Sequence, residues 1–410
     1  MNDKRSAAHL DDTFGLNGKA IVHIPNNEIG LSRIQGLAVD SRGGILFVSS
    51  TADKFVLGCF ADNGVPDERF ANRGFVLDKF SNEGASSGGS ITLLEDESIL
   101  LQGSHQTDGR TMVALACFNR HGNYETDFGN HGKIVIPLPA SAQTPPPAPA
   151  SGNGHSSRAP IVLPDGKILA IHRNYLIQLL KSGQPNNDFN KGKPYIDIKH
   201  TDYPVNLYNI IRVSDDLICV AGNAKVANNW LGIVTMYTTA GELVHGFADN
   251  GYLLFEHLSF ENNIVSIEKL NSKKLLITGQ KIGFPNKGYI TSITDSGKIV
   301  QDFNGGKPVL TPNDESRSLA WHTSAIDRQS RIIAVGGSME NGAAPAYLPI
   351  ARFLQDGEPD LTFHRDNGLL TLNGLQLSEA IAIDKQERLL VGGITQVNLE
   401  LKPVLIRILA

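Results

Sequence analysis

The chain has three cysteines, four methionines and two tryptophans in 410 residues. Three thiols, Cys59, Cys117 and Cys219, are too few for a disulfide framework. Neither sign of charge dominates: 37 Lys+Arg against 42 Asp+Glu leaves a formal net charge of −5. No basic block or stripe runs along the chain, which argues against nucleic acid as a partner. No apolar run reaches the roughly 18 residues that a membrane-spanning helix needs. Residues 1–10 are polar and carry no apolar core of a secretory signal, so the expectation is a cytoplasmic protein, or one exported without such a signal. Amphipathic periodicity of 3.6 residues is missing from every window of a dozen residues, which leaves an all-β chain as the expectation.

What the chain does have is a period. Phe14, Phe70, Phe128, Phe189, Phe247, Phe303 and Phe363 are separated by 56, 58, 61, 58, 56 and 60 residues. Most follow an acidic residue and precede a glycine-containing turn, as in Asp-Asp-Thr-Phe-Gly at 11–15. A fixed period of this size marks a repeat architecture. Each repeat predicts four short strands, because apolar β-branched runs of about six residues alternate with turn residues. The second-strand run recurs as Lys-Ile-Leu-Ala-Ile at 167–171, Lys-Leu-Leu-Ile-Thr-Gly at 274–279 and Arg-Leu-Leu-Val-Gly-Gly at 388–393. Between the third and fourth strands stand pairs such as Asn63-Gly64, His121-Gly122 and Asp356-Gly357, which supply the positive φ of tight connections. Seven four-stranded units in series predict a single seven-bladed β-propeller over 11–410, after a flexible 1–10. The last unit, 379–409, ends after three strands, while 18–24 is a fourth strand with no three before it. The expectation is that 18–24 pairs with 404–409 and closes the ring.

The motifs Leu-Pro-Asp-Gly-Lys-Ile-Leu-Ala at 163–170, Ala-Arg-Phe-Leu-Gln-Asp-Gly at 351–357 and Asp-Asp-Thr-Phe-Gly-Leu-Asn-Gly at 11–18 resemble those of the delta-60 repeat proteins. The resemblance extends over nearly the whole chain, and its strand order is similar to that of NHL-type propellers. It implies that the first strand of each blade lines a channel and the fourth lies outermost. The connections from strand four to the next strand one, and from strand two to strand three, then share one face.

That face is where a partner is expected. It should carry His105, Arg110, His172, Arg173, Tyr203, Tyr208, Trp230, Phe284, Trp321, His322 and Tyr347, since aromatics on loops can stack on sugars or anchor proteins. The Pro-rich stretch 137–160 is expected as an insertion between the second and third blades, unable to bury enough apolar area to order itself. The channel mouth should hold Arg33, Ser90, Arg158, Asn209, Asn263, His322 and Glu379. The arginines there, Arg33 and Arg158, point to an anionic ligand. His322, Glu379 and Asn263 are the candidate metal ligands, against the three or more strong donors that zinc wants. No cofactor motif or nucleophile elbow occurs. The recurring acids Asp11, Asp127, Asp188, Asp302 and Asp360 are expected to cap turns, because a group needed once for chemistry would not recur in most blades. The reading is a non-enzymatic propeller that binds a protein on its loop face. The alternatives are a carbohydrate-binding propeller and a metal-dependent hydrolase or lyase.

Overall fold

The computed structural model describes residues 8–24, 33–136, 138–139, 159–312, 317–340, 347–398 and 400–410. Its ordered elements are strands; among the described residues the helical turns are 3-10 segments at Phe255–Leu258 and Asn304–Gly306. Two short strands open the chain, His9–Leu10 (β1) and Lys19–Ile21 (β2). Gly36–Val39 (β3), Ile45–Ser50 (β4), Phe55–Phe60 (β5) and Phe75–Asp78 (β6) then form an antiparallel sheet in chain order. A second is built from Ala85–Leu93 (β7), Ile99–Thr107 (β8), Arg110–Phe118 (β9) and Lys133–Val135 (β10). The third is Ile161–Val162 (β11), Ile168–His172 (β12), Tyr175–Leu179 (β13) and Tyr195–Asp197 (β14). The fourth is Val205–Arg212 (β15), Leu217–Val226 (β16), Asn229–Thr238 (β17) and Tyr252–Leu254 (β18).

An eight-stranded sheet follows. Its first half is Asn262–Lys269 (β19), Lys274–Lys281 (β20), Lys287–Thr294 (β21) and Val309–Leu310 (β22). Its second is Arg317–Ile326 (β23), Ile332–Glu340 (β24), Tyr347–Phe353 (β25) and Leu369–Asn373 (β26). A single parallel bridge, Lys287 to Leu319, joins the two antiparallel halves. The last sheet is Leu375–Ile383 (β27), Leu389–Val397 (β28) and Glu400–Leu409 (β29), and both β1 and β2 add to β29. Lys19, Ala20 and Ile21 pair with Ile406, Leu405 and Val404, so the N-terminal strand completes the sheet that the C-terminus leaves short.

The repeat has a physical basis that can be followed atom by atom. In every unit the backbone N–H three residues before the Phe donates to a third-strand carbonyl. The pairs are Asp67 to Cys59, Glu125 to Cys117, Asn186 to Gln178, Val244 to Met236, Val300 to Ser292 and Asp360 to Arg352. Asp11 to Arg407 is the seventh, and it crosses from one end of the chain to the other. In four of the seven pairs the side chains at the two positions match in kind. Arg352 Nε lies 2.7 Å from Asp360 Oδ2 and Arg407 Nε lies 2.7 Å from Asp11 Oδ2, each guanidinium 4.8 Å above its motif ring, Phe363 or Phe14. Asn186 donates to Gln178 at 2.6 Å, and Met236 faces Val244 in an apolar cluster. In these four pairs charge meets charge, amide meets amide and hydrocarbon meets hydrocarbon, as burial favours, whereas Asp67, Glu125 and Val300 face Cys59, Cys117 and Ser292.

The Phe rings lock consecutive units together. Phe14, Phe70, Phe128, Phe189 and Phe303 each lie against the positive-φ glycine of the next unit, Gly64, Gly122, Gly183, Gly241 and Gly357, where a Cβ would come within 2.9 Å of the ring. The acids take two roles instead of one. Asp11 and Asp360 stand three residues before the Phe and accept from the backbone N–H of Thr13 and Thr362. Asp127, Asp188 and Asp302 stand one residue before it and are exposed; the position three before the Phe is Glu125, Asn186 or Val300, and Asn186 Oδ1 accepts from the Asp188 N–H. The expectation that these three cap their turns is therefore corrected.

The core is a series of apolar layers between neighbouring sheets. One layer joins Phe14, Ala20 and Val22 to Phe47 and Phe60 of the first sheet and to Leu390 and Leu405 of the last. At one end of the strands a chain of turn contacts crosses the same junction. Arg328 donates to Lys385 O, Lys385 to Ser41 O, and the Ser41 N–H to Glu97 Oε2. The three cysteines are unpaired and buried, and burial pushes the Cys59 and Cys117 thiols up to about 12.

Candidate functional site

The first strands of the sheets converge on a cavity of about 340 Å³. β3, β7, β19, β23 and β27 contribute to its wall, with Ala159 ahead of β11. Five of these first strands carry a register shift, between Gly88 and Ser90, Leu207 and Asn209, Ile264 and Ser266, Trp321 and Thr323, and Gln376 and Ala380. A bulge of this kind re-aims the side chains that follow it. Here it lets His322 and Thr323, neighbours in sequence, both reach the cavity.

The lining has two levels. Gln35, Ser90, Glu268, His322, Thr323, Ser324 and Glu379 supply hydrogen-bonding groups, and Leu37, Ile91, Val265, Ile326 and Ile381 supply an aliphatic wall. Along β3 the alternation follows from the period of two, Gln35 then Leu37 then Val39 on one face. Glu379 is nine-tenths buried and pairs with Arg33, Nε to Oε2 at 2.5 Å. Burial pushes its carboxyl up to about 7, against the downward pull of Arg33. His322 Nδ1 lies 3.0 Å from the Ser378 carbonyl, and a carbonyl only accepts, so Nδ1 carries a proton and the ring is held against β27. Ser90 Oγ is buried and has no hydrogen-bond partner among the described residues. Beneath the wall Ser266 and Thr278 both meet Ser324 Oγ, at 2.9 and 3.0 Å.

Only part of the expected set arrives here. His322 and Glu379 line the cavity, while Asn263 is fully buried in β19 and its backbone carbonyl accepts from Tyr289. Among the described residues no group of three or more His, Cys, Asp or Glu is placed to hold a metal ion. Arg33 is paired with Glu379 and is not a lone cation, which weakens its support for an anionic ligand. Arg158 and residues 140–158 of the Pro-rich stretch lie outside the described residues.

The expected aromatic face is largely interior. Trp321 is 1 % exposed and its indole covers Gly288, where a Cβ would come within 2.4 Å of the ring. Tyr208 is buried, donates to the Ile264 carbonyl and accepts from Asn223 Nδ2 at 2.8 Å. Tyr203 stacks on His200 at 5.0 Å and packs on the core between the third and fourth sheets. His105 is buried with Nδ1 2.9 Å from Ser86 Oγ. Burial lowers His172 to about 4, with Arg173 adding to the effect. Arg173 sits half-buried at the β12–β13 turn with φ of 57°. Trp230 and Tyr347 are half-buried strand residues, the first donating its N–H to Glu261 Oε1 and the second exchanging backbone bonds with Ser338 Oγ. Arg110 is exposed at the β8–β9 turn, and Phe284 is 72 % exposed. Sequence reasoning missed Gln35 and Thr323. The period-two pattern from the start of β3 signals Gln35, but nothing in the sequence signals the bulge that brings in Thr323.

Serial four-stranded antiparallel sheets, packed face to face with their first strands around a cavity, define a β-propeller. No family model matches the sequence, and no curated protein matches it. Solved structures do match. Virginiamycin B lyase from Staphylococcus aureus, crystallised as an inactive variant with quinupristin, is similar at a TM-score of 0.53 and 12% identity, over 95% of this chain and 98% of that one. It is a β-propeller, and at this identity the likeness concerns the fold. The β-propeller domain of the Trilobed protease from Pyrococcus furiosus matches at 0.44 and 11% identity, over 92% and 95% of the two chains. A polysaccharide lyase, an ulvan lyase bound to its saccharide, matches at 0.45 and 10% identity, over 97% and 94%. No described helix is long and apolar enough to cross a membrane.

Proposed function

We propose that the chain is a seven-bladed propeller of the delta-60 repeat type, closed by its N-terminal strand, and that it is a binding protein whose ligand site is the channel cavity. The seven backbone bonds of the Phe motif, the last of them from Asp11 to Arg407, support the blade count and the closure. The observation that carries the functional reading is the convergence of polar side chains from β3, β7, β23 and β27 on one cavity over an aliphatic wall. Polar groups converging beside aliphatic side chains in one concavity are what orients and holds a small molecule. Of the two partner classes expected from the sequence, protein and glycan, this favours a small polar ligand on the glycan side. A protein partner on the loop face is the second reading, favoured by exposed Phe284.

The test is ligand-observed NMR against a library of polyols, monosaccharides and amino acids, using the protein and its Thr323→Phe variant. The reading predicts at least one hit that the variant loses, because the added ring fills the cavity. Hits that survive in the variant, or none at all, contradict it.

A further inference from the structure

Three features of the cavity narrow its ligand. The first is charge: Arg33 lies 2.5 Å from the Glu379 carboxyl, so it does not stand in the cavity mouth as a lone cation, and Glu268 adds a second carboxyl to the wall. The second is unsatisfied capacity. Ser90 is 8 % exposed, lines the cavity, and its hydroxyl has no partner among the described residues. A buried polar group in that state is usually completed by something bound beside it. The third is amphipathy. Hydrogen-bonding groups from Gln35, Ser90 and His322 stand over the aliphatic side chains of Leu37, Ile326 and Ile381.

A ligand that matches all three carries no negative charge, is rimmed with hydroxyls and is apolar on one face. A pyranose ring has that form: equatorial hydroxyls around the edge and axial C–H groups on a face. A cavity of about 340 Å³ lies at the bottom of the roughly 300–1,000 Å³ range of small-molecule sites, which suits one ring and excludes a stretch of chain. We propose that the channel cavity takes a single neutral hexopyranose unit, as a free monosaccharide or the end of a glycan, with its hydroxyl edge on Ser90, His322 and the Arg33–Glu379 pair and its C–H face on the aliphatic wall. The proposal rests on the channel-binding reading above.

The test is isothermal titration of the full chain with methyl glucopyranoside, methyl galactopyranoside, methyl mannopyranoside, glucuronate, glucosamine and cellohexaose. It is repeated on Ser90→Ala, which removes one hydroxyl from a wall position and leaves the fold intact, and on Thr323→Phe. The expected result is binding of a neutral methyl hexoside that Ser90→Ala weakens about tenfold, the loss of one ligand hydrogen bond, and that Thr323→Phe abolishes. Tighter binding of glucuronate or glucosamine than of every neutral hexoside would overturn the proposal and leave channel binding standing. Binding of cellohexaose with no methyl hexoside would do the same. Retention of polyol or amino-acid hits lost in Thr323→Phe, with no sugar bound, would likewise sink the sugar and spare the channel. Binding that survives Thr323→Phe, or no binding by any probe of either screen, would end both.

Discussion

Replacing Arg407 tests the junction of the two chain ends. Its side chain is 2 % exposed and bonds to four groups: Asp11 Oδ2 at 2.7 Å, Asp62 Oδ1 at 3.0 Å, the Asp62 carbonyl and Thr13 Oγ1. Asp11 is itself 4 % exposed, so Arg407→Met leaves a buried carboxylate without its counter-charge. Removing one partner of a buried ion pair costs about 3–5 kcal/mol, because the remaining charge is desolvated and uncompensated. Asp62 retains Arg388, which keeps the loss inside that range. The chain also supplies the repair. At the equivalent positions of the fourth unit stand Met236 and Val244, with the same backbone bond at 2.9 Å. Arg407→Met combined with Asp11→Val should therefore recover most of the loss and cost about 1–2 kcal/mol, chiefly the lost turn cap on Thr13. The assay is urea unfolding of both single variants and the double, with hydrogen exchange followed over residues 8–21. Arg407→Met should raise exchange there, whereas Arg352→Met, the same module within one sheet, should raise it at 359–363. A cost below about 1 kcal/mol for Arg407→Met, or a double variant as unstable as the sum of the singles, would refute the reasoning.

Other outcomes follow from the same contacts. Gly122→Ala places a Cβ 2.8 Å from the Phe70 ring at φ of 79°, and should lower stability by about 2–3 kcal/mol in thermal unfolding. Trp321→Ala should cost about 3–5 kcal/mol as a core truncation, and a soluble, fully stable variant would return Trp321 to the surface. Glu379 titrates near 7 when folded and near 4.5 when unfolded, so the native state binds the extra proton between those values. Its contribution is therefore present in acid and lost as pH rises from about 4.5 through 7. Glu379→Gln should flatten that slope by about 3 kcal/mol, measured as the difference between the two stability curves. Asp360 behaves with the opposite sign. Burial raises its carboxyl, but the Thr362 bonds and Arg352 outweigh burial and hold it below the ordinary value. Its stabilisation exists at neutral pH and disappears in acid, so Asp360→Asn should lessen acid denaturation relative to the native chain.

The periodic parts of this fold were readable because they are forced to repeat. A Phe that fills the gap between units needs a glycine opposite it, and the pair Phe70–Gly122 therefore recurs in sequence as well as in space. The short last unit and the spare strand at 18–24 were readable for the same reason, and their pairing at Ala20 and Leu405 is what the period implies. The site was harder to read because it depends on interruptions. Between Trp321 and Thr323 one residue is inserted into the ladder, so alternation alone cannot say which of the three faces the channel. The result is a buried Trp321 beside a cavity-lining His322 and Thr323. Tyr208 sits at the equivalent interruption in β15 and turns inward to bond the Ile264 carbonyl. Arg33 looked like an anion site because its partner, Glu379, lies 346 positions away in sequence, as the two numbers give by subtraction.

The most direct measurement is a crystal structure of the protein soaked with the strongest-binding methyl hexoside. The account predicts density for one ring in the channel, in contact with Ser90, His322 and Glu379. An empty cavity, with the ligand instead beside Phe284 or Trp230, would contradict it.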